Sequence, residues 1–206
     1  IALHGMVQLF SNSTRTYIFR QHIKKDLIKQ FLAGALIGIS ISIIIILMLI
    51  NYFNVQSANE IKVEVLKPLI GLFIIWYLFL KESNKEKKVN SFIPVGLIAG
   101  LSSIFVGAVG PLIAPFFLGK RLNKENIIAN KAASQMITHL SKIPLFVYFF
   151  NMNYKSELNI LLPLILAVYV GTNVGKKILS FIPELLFKKL FKITLFIIAI
   201  RLIVSY

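Results

Sequence analysis

Two short segments carry polar and cationic side chains at matching positions within otherwise apolar sequence. They are QLFSNSTRTYIF, residues 8–19, and QMITHLSKIPLF, residues 135–146. Their polar positions correspond at an offset of 127 residues, in the pairs Gln8 and Gln135, Ser11 and Thr138, Asn12 and His139, and Arg15 and Lys142. A cation near the middle of a membrane-spanning helix costs about 2.5 to 3.5 kcal/mol, so it usually faces protein or a watery cavity. The pattern therefore predicts that Arg15 and Lys142 face one shared cavity that binds an anion.

The composition is typical of a polytopic membrane protein. The 206 residues are 57% hydrophobic with a mean hydropathy of +0.78, which excludes most soluble functions. The net charge of +15 does not indicate nucleic acid, because the lysines lie in short loops between apolar runs. With no cysteine, disulfides and cysteine metal sites are excluded. We expect the lipid bilayer and a small anionic substrate as partners and no nucleic acid, and the sequence leaves a homo-oligomer open.

The charge of the loops predicts how the chain threads the membrane. Apolar segments are predicted at residues 1–19, 30–53, 63–80, 91–119, 126–150, 158–179 and 184–206. Fifteen of the 23 basic residues lie in the loops 20–29, 81–88, 120–124 and 176–189, which are therefore predicted to be cytoplasmic. We predict a first transmembrane repeat at 1–80, a cytoplasmic linker at 81–90 and a second transmembrane repeat at 91–206.

Residues 91–119 do not fit a simple span. They are apolar but are cut by Gly107, Gly110, Pro111 and Pro115, and the loops on both sides are predicted to be cytoplasmic. Such a segment must enter the membrane and return, which irregular backbone permits where protein or water satisfies it. We predict a re-entrant pair of half-helices that meet at residues 107–111, where backbone N–H groups can bind an anion. The alternative is that these glycines serve only close packing.

The two matching segments run in opposite directions, because the first ends at a cytoplasmic loop and the second at an outer loop. The predicted fold class is an all-α helical bundle of two inverted repeats, an architecture common in secondary transporters. By the same logic a broken segment should precede Ile1, so we expect the first repeat to be incomplete at its N-terminus.

Each functional interpretation has an alternative. Arg15 and Lys142 could instead extend to the lipid headgroups, and His139 could relay protons or be a hydrogen-bonded core residue. The glycines spaced four apart, Gly34 with Gly38 and Gly171 with Gly175, favour helix packing. The predicted substrate-binding residues are Ser11, Asn12, Arg15, Gly107, Gly110, Gln135, Thr138, His139 and Lys142.

Every acidic residue lies in a predicted loop or at the end of a segment. Carboxylate proton relays and carboxylate cation sites are therefore not expected, and no Ser-His-Asp set can form at membrane depth. The three histidines lack metal-site spacing. The sequence predicts neither an enzyme nor a bound cofactor or metal.

Three stretches resemble the second half of permeases of the TauE/SafE family, the sulfite exporters. They are VGAVGPLIAPFFL, ANKAASQMITHLSKIPLF and VGKKILSFIPELLFKKLFKITLFIIAIRLI. The resemblance covers nearly all of residues 91–206 and, more weakly, 1–80. It implies a multi-pass inner-membrane carrier of two related halves that moves sulfite, sulfonates or similar anions. The glycine cluster of the family is reduced here to Gly107 and Gly110 with Pro111, which leaves the substrate contact open, and the N-terminal half-helix is absent.

The favoured hypothesis is a secondary transporter that exports a small sulfur-containing anion. The alternatives are a membrane scaffold subunit that transports nothing, which needs no buried cations, and an anion channel, which would show far higher turnover.

Overall fold

The computed structural model describes residues 2–53, 66–81, 91–105, 109–118, 122–149 and 152–204, and the regular elements in these ranges are all helical. The prediction of an all-helical fold is therefore confirmed. The helices are α1 (Ala2–Ile18), a 3-10 turn (Arg20–His22), α2 (Lys25–Phe53), α3 (Leu66–Trp76) continued by a π-helical stretch (Tyr77–Lys81), α4 (Ile93–Phe105), α5 (Gly110–Leu118), α6 (Lys124–Phe149), α7 (Leu158–Phe181) and α8 (Glu184–Val204).

Large apolar side chains cover the outer faces of α2 and α7. Among the described helices, these two are long and apolar enough to cross a bilayer by themselves, a test that a buried core helix can also pass. A core helix would be covered by protein, however, and α7 buries only Leu161 and Leu179. Apolar faces of this size left open to water would be unusual for a soluble monomer. The exposed faces therefore favour a lipid environment.

The basic loops meet at one end of the bundle. The side-chain amide of Asn126 at the start of α6 donates to the carbonyl oxygen of His22 at 2.7 Å. The Lys124 ammonium donates to the carbonyl oxygens of Leu179 and Ile182, at 2.8 and 2.6 Å, where α7 turns into α8. Three loops that were predicted to be cytoplasmic therefore share one end, which we call the basic end.

The two polar segments of the sequence lie on α1 and α6, which pack side by side in opposite directions. Gly5 near the start of α1 faces Lys142 in the later part of α6. At the basic end, Phe19 packs with Ala129 of the early part of α6. An antiparallel pair is what inverted repeats require, although the symmetry of the two complete halves stays a prediction.

The helices of the predicted first repeat each pack against a helix of the second. Besides α1 on α6, α2 packs on α4 and α3 packs on α8. In the last pair, Gly71 faces Ala199 and the rings of Phe79 and Phe196 lie 5.4 Å apart. The predicted repeats therefore form one packing unit, while residues 82–90 of the predicted linker lie outside the described residues.

Four glycines bring α2 and α4 into backbone contact. Gly34 and Gly38 of α2 lie against Gly96 and Gly100 of α4. A Cβ atom added to any of them would lie closest to backbone atoms of the facing helix. At Gly34 it would lie 2.8 Å from the backbone nitrogen of Leu97 and would overlap the carbonyl oxygen of Ile93, one turn earlier in α4. The packing role predicted for Gly34 and Gly38 is confirmed, and the two glycines of α4 were not anticipated.

The other glycine pair does not behave this way. Gly171 and Gly175 on α7 are exposed, and no described atom outside the neighbouring backbone of α7 lies within 4 Å of a Cβ added to either. The prediction that they serve helix packing is therefore wrong for the described part of the chain. They border an open groove instead.

The segment with several glycines and prolines forms two short helices separated by a break. With 13 and 9 residues, α4 and α5 are about 20 and 14 Å long, too short to cross about 30 Å of hydrocarbon. The rings of Phe92, before α4, and Phe117, near the end of α5, lie 5.2 Å apart, so the chain returns toward its starting level. Residues 106–108, including Gly107, lie outside the described residues. The re-entrant pair therefore stays a prediction, with two helices of suitable length and direction.

Candidate anion-binding cavity

Polar side chains line the seam where α1 packs on α6. Six polar residues of the two matching segments are at most 7% exposed: Ser11, Asn12, Gln135, Thr138, His139 and Lys142. Burying polar groups away from water is unfavourable unless they find partners. The sequence therefore pays a folding penalty at this seam that an apolar seam would avoid, which is typical of a functional site.

A cavity of about 330 Å³ lies beside this seam, between α1, α5, α6 and α8. Its polar wall comes from α1 and α6, and the residues are His4, Gln8, Arg15, Lys131, Gln135 and His139. Its opposite wall comes from α8 and consists of Phe191, Leu195 and Ile198 with one polar residue, Thr194. No acidic side chain is among the described residues that line the cavity. One wall is therefore cationic and polar, and the other is mostly apolar.

Two cations face this cavity from different helices. Arg15 is held by its own helix, because its guanidinium donates a hydrogen bond to the hydroxyl of Ser11 one turn earlier. The ammonium of Lys131 lies 5.6 Å from the centre of the Phe191 ring. Like charges that face one space repel, and an anion placed between them would remove this repulsion. The arrangement suits a ligand with one or two negative charges.

The N-terminus of α5 lines the cavity beside Gln135. Gly110 and Pro111 both line it. The start of a helix carries partial positive charge and favours an anion. At α5, Pro111 has no N–H and the N–H of Ile113 donates to the carbonyl oxygen of Val109 at 3.2 Å, so the contribution comes mainly from the helix dipole. The amide nitrogen of Gln135 approaches Gly110 so closely that a Cβ atom would not fit there. Gly110 thus allows the Gln135 amide to lie over this helix end.

Two buried polar atoms of the seam have no hydrogen-bond partner among the described residues. They are Oδ1 of Asn12 and Nδ1 of His139. The two residues occupy equivalent positions of the repeat, and His139 lines the cavity. Since most buried polar atoms in proteins are paired, these two are candidates for a hydrogen bond to a ligand or to water.

Four of the predicted site residues line the cavity: Arg15, Gly110, Gln135 and His139. Ser11, Asn12 and Thr138 are buried nearby without lining it; Ser11 accepts the hydrogen bond from Arg15, and Thr138 donates to the carbonyl oxygen of Gln135 at 2.9 Å. Gly107 lies outside the described residues.

Lys142 is not beside Arg15. A Cβ on Gly5 would lie 3.6 Å from Cδ of Lys142, and Gly5 is ten residues, or about 15 Å along the helix axis, from Arg15. The ammonium of Lys142 lies 5.7 Å from the centre of the Phe146 ring. Lys142 is only 1% exposed, so it does not extend to the headgroups either. The expectation that Arg15 and Lys142 share one cavity is therefore corrected: the second cation that lines the cavity with Arg15 is Lys131.

Three residues of the polar wall were absent from the predicted set: His4, Gln8 and Lys131. The offset of 127 residues could have identified them, because it relates His4 to Lys131 and Gln8 to Gln135. Lys131 also lies two helical turns into an apolar segment, which is the same signal that identified Lys142.

We expect Gly110→Ala to reduce anion transport several-fold with little change in stability. The added methyl group would push aside the end of a flexible side chain, the Gln135 amide, rather than backbone. The measurement is a double-mutant cycle of Gly110→Ala with Gln135→Ala, using transport rate and thermal stability. If Gly110→Ala acts through Gln135, the double variant should transport no more slowly than Gln135→Ala alone; fully additive losses would contradict this.

A profile of the family described as Sulfite exporter TauE/SafE matches residues 1–202 of the chain. No curated protein and no solved structure matches it. The match spans both predicted repeats, including the polar segments of α1 and α6 and the broken segment between α4 and α5. The chain therefore belongs to the TauE/SafE sulfite exporter family, a family of membrane transporters.

Proposed function

We propose that the chain is a secondary transporter that exports a small sulfur-containing anion, such as sulfite or an organosulfonate, across the inner membrane, which it crosses several times. One observation carries this proposal: Arg15 and Lys131 face a single cavity between apolar helices, with no acidic side chain among the described residues that line it. Both cations are partly buried, and partly buried cations without acidic partners beside them are unfavourable in a scaffold and useful in an anion carrier.

The polar wall offers the contacts that an oxyanion needs. The planar guanidinium of Arg15 can bind two oxygens at once, and the ammonium of Lys131 acts as a point charge. The side-chain amides of Gln8 and Gln135 can donate to the remaining oxygens, as can a ring nitrogen of His139. The positive end of α5 adds to the same field. We propose these groups as the substrate contacts.

The apolar wall favours a substrate with an organic part. At about 30 Å³ per water molecule, the cavity of 330 Å³ corresponds to about eleven waters, more than one bare oxyanion fills. Phe191, Leu195 and Ile198 could cover a short carbon chain while the charged group lies on Arg15 and Lys131. A sulfonate with a short organic group therefore suits the cavity at least as well as sulfite does.

The test is transport by the purified protein in liposomes loaded with sulfite. The wild type should release sulfite faster than protein-free liposomes, at carrier rates far below those of a channel. Arg15→Ala should reduce this release at least tenfold, because it removes a charge-assisted contact. Release by the wild type at the protein-free rate, for sulfite and for short organosulfonates alike, would contradict the proposal.

A further inference from the structure

A second cavity, of about 470 Å³, lies in the half of the bundle nearest the basic end. It is an open groove between α1, α6, α7 and α8. Three cations line it: Arg15, Lys131 and Lys176, and no acidic side chain is among the described residues of its wall. The ammonium of Lys176 lies 5.9 Å from the centre of the Phe19 ring, at the end of α1. The groove is therefore electropositive along its length.

This groove adjoins the first cavity. Arg15, Lys131 and Phe191 line both spaces, so these three side chains form the partition between them. The first cavity extends away from the basic end as far as His4 and Ile198, while the groove extends toward it as far as Lys176 and Leu179. An anion could pass between the two spaces without leaving the reach of Arg15 and Lys131.

Gly171 and Gly175 keep the groove open. Both line it, and a Cβ atom on either would point into open space. The hydroxyls of Ser11 and Thr172 also line the groove, and Thr172 donates to the carbonyl oxygen of Val168 at 2.7 Å. Thr172 thus presents only its oxygen to the groove, whereas Ser11, whose oxygen accepts from Arg15, can donate its own proton to an anion. The groove's attraction for an anion comes mainly from its cations.

We propose that the groove is a second anion site, the cytoplasmic entrance through which the transported oxyanion reaches the first cavity. This inference rests on the proposed function, since it names the path to the same site. Lys176 attracts the anion, and Arg15 and Lys131 then hold it at the partition. A cationic cleft with apolar walls raises the local concentration of anions by about 10- to 1,000-fold.

The chain has no cysteine, so in a single-cysteine variant a thiol reagent reacts only with the introduced residue. The first experiment uses this property. Gly171→Cys, in phosphatidylcholine liposomes, is treated from the side of the basic end with two membrane-impermeant methanethiosulfonates, one carrying a sulfonate and one a quaternary ammonium. The sulfonate reagent should react at least tenfold faster than the cationic one, and methanesulfonate should slow it. Adding Lys176→Gln should lower this preference several-fold, whereas Lys177→Gln, which removes a neighbouring charge outside the groove, should not.

Equal reaction rates for the two reagents would contradict the proposal that the groove is an anion entrance. So would a preference for the sulfonate reagent that Lys176→Gln leaves unchanged. Repeating the reaction with phosphatidylglycerol in the liposomes separates two sources of the anion. Protection by this lipid with none by methanesulfonate would identify a lipid headgroup as the occupant and would also overturn the proposal.

The second experiment blocks the groove. Gly171→Leu places a side chain in open space, so it should fold normally and yet reduce sulfite release at least tenfold. Val170→Leu, on the exposed face of α7 outside the groove, should release sulfite at the wild-type rate. If the wild type releases sulfite and Gly171→Leu releases it equally fast, the entrance is overturned and the proposed function stands. If the wild type releases none, the proposed function fails, and the thiol reaction still decides whether the groove binds anions.

Discussion

Lys131→Gln is expected to lower the rate of sulfite transport at low substrate concentration by about 10- to 100-fold. The change removes one of the two cations that face the first cavity. A hydrogen bond to a charged group contributes about 1.5 to 3 kcal/mol, and each 1.4 kcal/mol corresponds to a factor of ten. Initial rates of sulfite release from liposomes measure the loss, and Lys131→Arg should retain part of the activity because it keeps the charge.

The matched control is Lys177→Gln, which also removes one positive charge. Lys177 is exposed near the basic end and lines neither cavity. Its transport should equal that of the wild type, provided that all variants are incorporated equally. A Lys131→Gln variant as fast as this control would remove Lys131 from the site and leave Arg15 as its sole cation among the described lining residues.

Gly34→Ala is expected to lower the midpoint of thermal denaturation in detergent by about 5 to 10 °C. The added methyl group would collide with backbone of α4, which cannot rotate away as a side chain can. Overpacking of this kind typically costs about 1 to 3 kcal/mol, and one kcal/mol shifts the midpoint by about 2 to 4 °C in a chain of this size. The loss of fluorescence-detected monodisperse protein after heating measures it.

Gly171→Ala provides the comparison, because its methyl group meets no described atom within 4 Å. That variant should denature at the wild-type temperature or slightly above it, since alanine favours a helix more than glycine does. Equal midpoints for the Gly34 and Gly171 variants would show that the glycine crossing of α2 and α4 is looser than the structure has it.

Helix positions were predictable because apolar runs and basic loops alternate along the chain. The main difference is at α2, which begins at Lys25 rather than at residue 30. Its first five residues include Lys25, Asp26 and Lys29, so their hydropathy resembles that of a loop. Leu27, however, is buried and packs this part of the helix against the bundle. Charge alone cannot separate a solvated helix end from a loop.

The site was predictable in its helices and only partly in its side chains. Matching positions on antiparallel helices meet only where the helices cross, and they separate by about 3 Å for each residue away from that point. Arg15 and Lys142 are too far from the crossing to meet, although they match in the repeat. The sequence reveals the correspondence but not the crossing point, which packing of Gly5 and Phe19 determines. For the same reason, spacing alone could not show that Gly171 faces open space.

The unbalanced charge of Arg15 and Lys131 affects how the carrier would complete its cycle. With nothing bound, both positive charges are partly buried between helices without a counter-ion among the described lining residues. A bound dianion such as sulfite would neutralise them, so the loaded protein would rearrange at a lower electrostatic cost than the empty one. Return of the empty form then becomes the slow step, and swapping one anion for another across the bilayer should outpace net release.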